Sequence, residues 1–109
     1  MNKILPLFSI PLCYDDYELD INEIEHIKKE SFIHGQPHDG LFSDNLNILL
    51  KYPNLLDVVH THIRTSLYGE NSFNIVSDMK YKILASWVNK HPPKHSAHRH
   101  AHLNSMFTG

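Results

Sequence analysis

Between Pro53 and Gly69 the chain carries Leu55, Leu56, Val59, Ile63 and Leu67, an apolar residue at every third or fourth position. That interval places all five on one stripe of a helix, proline suits the first helical turn, and glycine suits the residue just past the last. A helix from Pro53 to Gly69 is therefore the firmest expectation for this chain. His60 and His62 fall inside it with no other ligand type beside them, so they are read as solvent-facing and given no function.

A second helical pattern lies upstream, where Ile21, Ile24 and Ile27 recur through "INEIEHIKKES". Asp20 followed by Glu23 resembles a capping box, and the helix is expected to end before Gly35 and Pro37. The opening "ILPLFSIPLCYDDYEL" combines β-branched and aromatic residues with Pro6 and Pro11, which suits an extended segment along a sheet margin. Turn signals at Gly35-Gln36-Pro37 and Asp39-Gly40 precede "LFSDNLNILL", whose periodicity fits either a short strand or a helical turn.

After a turn-like "GENSFN", the run "MKYKILASWVNKH" is rich in β-formers. Alternation would put Tyr81, Ile83, Ala85, Trp87 and Asn89 on one face of a strand and Lys82, Leu84, Ser86 and Val88 on the other. Trp87 is expected in the core, and Asn89, if buried, would need a polar partner. "HPPKH" then makes a turn, because two prolines cannot continue a central strand. Helical stripes followed by alternating runs indicate an α+β chain.

Length and composition limit the rest. A chain of 109 residues suits one folding unit or part of one. With 41% hydrophobic residues, 20% charged residues and a formal charge of -2, it falls in the globular range without a basic block for nucleic acid. No stretch approaches a membrane span, and the proline-interrupted N-terminus does not read as a signal peptide, so a cytoplasmic location is expected. Cys13 is the only cysteine, which excludes an internal disulfide and a cysteine-rich zinc site. It lies in an apolar, proline-bounded stretch and has no recognisable partner for nucleophilic catalysis.

Histidine is the unusual component, with ten residues, four of them in "KHSAHRHAHLNS". As a strand antiparallel to the preceding one, this run would place His98, His100, His102 and Asn104 on one face and Ala97, Arg99, Ala101 and Leu103 on the other. Two imidazoles at i and i+2 can converge on Fe(II), Zn(II), Ni(II) or Cu(II), with a third ligand supplied from elsewhere. The same alternation also allows Ala101 and Leu103 to face a core while the histidines face water. A pH-dependent assembly through the cluster is a third reading, since imidazole titrates near pH 6.5.

The stretch "SWVNKHPPKHSAHRHAHLNSMFTG" resembles the 2-oxoglutarate- and Fe(II)-dependent oxygenase family of tailed phages and marine bacteria. The resemblance covers nearly the whole chain, is weak over the helices, and is specific at Trp87, Asn89, His100, His102, Asn104, Ser105 and Gly109. It implies a double-stranded β-helix, or jelly roll, with helices packed on one sheet and a facial metal triad. By this mapping His100 is the proximal metal ligand, and His102 stands where the family usually has a carboxylate. Asn104 and Ser105 would orient 2-oxoglutarate. Arg99 is turned away from His100 by strand alternation.

The chain departs from the family in two places: "PPKH" replaces the usual glycine of the turn, and the sequence reaches "SMFTG" without a distal histidine or a basic residue for the cosubstrate. The resemblance thus implies a partial domain over residues 1–109, with an N-terminal extended segment and helices over 1–79 and the first strands of the β-helix over 80–109. Such a portion would not turn over alone, and its open strand edges would invite homo-oligomers. The alternative is a non-catalytic, His-rich metal-binding or phage assembly module.

Overall fold

The computed structural model describes residue 3 and residues 12–34, 40–69, 72–74, 80–94 and 108–109. In chain order these form α1 (Ile21–Ile27), β1 (Phe32–His34), β2 (Leu41–Ser43), a 3-10 turn (Ile48–Lys51), α2 (Pro53–Tyr68) and β3 (Asn89–Lys90). The class is α+β, as the patterning implies, with two α-helices and an antiparallel sheet of order β1-β2-β3. The ambiguous "LFSDNLNILL" contributes both of its alternatives, first β2 and then the 3-10 turn.

The helix expected from the apolar stripe is α2, and its stripe faces inward: Leu67 is buried and Leu55, Leu56, Val59 and Ile63 are half-buried. Its N-cap residue, Tyr52, has no side-chain acceptor to offer the first amides. Glu23 of α1 supplies one instead, Oε1 accepting from Asn54 N at 2.9 Å and Oε2 from Leu55 N at 2.8 Å. A carboxylate there satisfies orphan donors and meets the positive end of the helix dipole. Asp20 caps α1, accepting from Asn22 N at 2.8 Å and Glu23 N at 3.2 Å, and its other oxygen takes Asn54 Nδ2 at 2.8 Å. The Asp20/Glu23 spacing therefore marks α1 as expected, but Glu23 serves the neighbouring helix.

The sheet is short. Phe32, Ile33 and His34 pair with Ser43, Phe42 and Leu41, while Leu41 and Phe42 pair on the other side with Lys90 and Asn89. Gly40 enters β2 with φ of +72°, and a Cβ there would lie 2.5 Å from His91 Nδ1 and 3.0 Å from the Lys90 carbonyl. Both the left-handed backbone and the close approach require glycine. Ile27, Ile48 and Tyr52 form the centre of the core, with Ile24, Leu55 and Val88 packed against them.

The expected strand through residues 81–89 is corrected by the structure. Only Asn89–Lys90 forms a strand, and Ser86 makes a separate parallel bridge with Asn47. Tyr81 and Ile83 are half-buried, but further on Ser86 and Val88 take the inward positions and Trp87 is 40% exposed. The alternation has slipped by one residue. Two serines account for this. Ser43, fully buried, donates its N–H to the Val88 carbonyl at 2.8 Å, while its Oγ accepts from Val88 N and donates to the Asn45 carbonyl, both at 3.0 Å. Ser86 donates its N–H to the Leu46 carbonyl at 2.9 Å, and its own carbonyl and Oγ accept from Ile48 N and Leu49 N at 3.1 Å. Turning Ser86 and Val88 inward sends Trp87 outward, against its expected core position. Asn89 is exposed, so the demand of a buried amide does not arise.

The N-terminal segment expected along the sheet margin is described only from Leu12 onward, and residues 12–19 join no strand. Leu12 and Tyr14 are 82% and 88% exposed. The turn expected at "HPPKH" is present at Pro93 and Lys94, where Lys94 has φ of 63°. Among the described residues, no helix is long and apolar enough to cross a membrane.

Candidate functional site

The residues singled out as metal ligands, His100 and His102, and those singled out for 2-oxoglutarate, Asn104 and Ser105, lie outside the described residues, as do His95, His98 and Arg99. The structure describes the approach to them. The segment Trp87–Lys94 leaves the Ser43 and Ser86 contacts, passes along the sheet as β3 and enters the Pro93-Lys94 turn. Of the other positions carrying the resemblance, Trp87, Asn89 and Gly109 are described, and all three are exposed. Among the described residues, no group of three or more His, Cys, Asp or Glu side chains is placed to hold a metal ion.

Two polar arrangements that sequence reasoning missed stand out in the described portion. The first joins the turn after α1 to the residues just before α2. Glu30 accepts from Lys51 Nζ at 2.6 Å and from the Tyr52 hydroxyl in a very short contact. The bonds from Lys51 and then Tyr52 hold the Glu30 carboxyl below its ordinary range, outweighing the opposing effect of burial. Burial first, and then the Glu30 carboxylate, pushes the Tyr52 phenol up to about 12. Both shifts move away from neutrality. The pair ties the turn after α1 to the residues that open α2 and acts there as a brace.

The brace lines an open cleft of about 470 Å³ shared with Asp20, Glu23 and His26. The acids there already have partners: Asp20 and Glu23 bind the helix N-termini, and Glu30 binds Lys51 and Tyr52. His26 Nδ1 donates to its own helix at the Asn22 carbonyl, 2.7 Å away.

The second arrangement corrects the reading of His60 and His62 as solvent-facing. Both are half-buried and tyrosine-bonded: His60 Nδ1 to the Tyr81 hydroxyl at 2.5 Å, and His62 Nδ1 to the Tyr17 hydroxyl at 3.2 Å. Two residues apart on a helix, the rings stand about 200° apart. One therefore holds the segment before α1 and the other the segment leading to β3. Tyr17 lies 45 residues from His62, and Tyr81 lies 21 from His60, so no local motif announces either pair.

Cys13 is half-buried and shares a hollow of about 290 Å³ with His62. The His62 Nδ1 is bonded to the Tyr17 hydroxyl.

No family model, no curated protein and no solved structure matches this chain.

Proposed function

We propose that this chain supplies the N-terminal portion of a 2-oxoglutarate- and Fe(II)-dependent oxygenase of the hydroxylase type, built on a jelly-roll core. One observation carries the reading: Trp87, Asn89, His100, His102, Asn104, Ser105 and Gly109 occur together at the spacing of that family. An α+β arrangement in which the Trp87-x-Asn89 segment runs into an antiparallel strand supports it. The donor chemistry also agrees, because neutral imidazoles suit Fe(II) while leaving coordination positions open.

In this reading His100 and His102 hold the metal through ring nitrogens, and Asn104 and Ser105 orient the 2-oxoglutarate carboxylates by hydrogen bonding. Fe(II) and 2-oxoglutarate, when bound, supply oxidative decarboxylation coupled to oxidation of a substrate C–H bond. The protein's part is positioning and exclusion of water. The family's distal histidine and cosubstrate-binding basic residue have no counterpart among the 109 residues. The assembled enzyme acts in the cytoplasm, that of the host cell if phage-encoded, and uncovered strand edges favour a homo-oligomer.

The test is succinate formation from 2-oxoglutarate by the product of the complete reading frame with Fe(II), beside a His100→Ala variant. Succinate formation by the native protein, with loss of at least tenfold in His100→Ala, supports the proposal; equal rates overturn the role of His100. Tight stoichiometric metal binding without succinate would instead establish the non-catalytic metal-binding module.

A further inference from the structure

No further inference is drawn: the strongest candidate, the two histidine–tyrosine bonds that hold flanking segments to α2 through His60 and His62, carries nothing because a tyrosine hydroxyl both donates and accepts, so a protonated imidazole keeps its partner and no direction of switching follows.

Discussion

The helical layer and the segment that leads into β3 are each held by side chains borrowed from distant positions, but with different chemistry. In the helical layer the braces are carboxylates: Glu23 caps α2 from α1, and Glu30 ties Lys51 and Tyr52 to the turn after α1. Along residues 86–88 they are neutral hydroxyls, those of Ser43 and Ser86, standing where a regular ladder would use backbone groups. The Glu23 carboxylate brings charge to a helix terminus, and the Glu30 brace responds to pH. Hydroxyl braces do not titrate, and they bind strand register to the identity of single residues.

The largest expected effect comes from removing one partner of the charged brace. Tyr52→Phe deletes a hydrogen bond to the Glu30 carboxylate and should destabilise by about 1.5–3 kcal/mol in urea denaturation. Ser43→Ala tests the neutral brace: it leaves Val88 N and the Asn45 carbonyl without this partner in a fully buried place, for a cost of about 1–3 kcal/mol. Amide exchange at Val88 should accelerate in this variant. Unchanged exchange would mean that the hydroxyl does not hold the register.

Glu23→Ala removes a cap from α2 and should cost about 0.5–2 kcal/mol, with Glu23→Gln losing less because an amide oxygen still accepts. Lys28→Ala is the smallest, about 0.2–0.5 kcal/mol, because the Lys28–Glu25 pair is exposed on a helical turn.

The pH dependence sharpens the contrast. The Glu30 carboxyl is lowered from an ordinary 4.5, so its contribution is complete above that value and disappears as pH falls through the lowered one. The Tyr52 phenol is raised from 10.0 to about 12, so its contribution is complete below 10 and disappears as pH climbs through that interval. Stability measured against pH should therefore decline on both sides of a plateau. Glu30→Gln should flatten the acid side and Tyr52→Phe the alkaline side. Ser43→Ala should lower the whole curve without changing its shape, and a changed shape would show that the two braces are coupled.

The legibility of the molecule follows the range of its interactions. The α2 stripe, its Pro53 start and its Gly69 end could be read directly, as could Asp20 as the α1 cap, because each rests on neighbours within one or two helical turns. The destination of Glu23 could not, since its acceptors meet amides 31 and 32 residues away. Trp87 was misplaced for a related reason. Its alternation with Tyr81 assumes an unbroken pleat, and the bonds from Ser43 and Leu46 to this segment interrupt it. The tyrosine partners of His60 and His62 were equally invisible, although the positions of both histidines on a helix were not. The metal-site assignment of His100 and His102 rests on motif spacing.

By itself, then, the sequence determined the helices, the Asp20 cap of α1, the Pro53 start and Gly69 end of α2, and the α+β class, because local geometry and side-chain chemistry act over a few residues. The tertiary structure alone decided where the alternation near Trp87 slips, which helix Glu23 serves, and that Glu30 and Tyr52 share a partly buried bond. Those outcomes depend on which distant donor and acceptor meet once the core around Ile48 has closed. A linear pattern leaves that meeting open because many pairings satisfy the same periodicity, and only burial makes one of them obligatory.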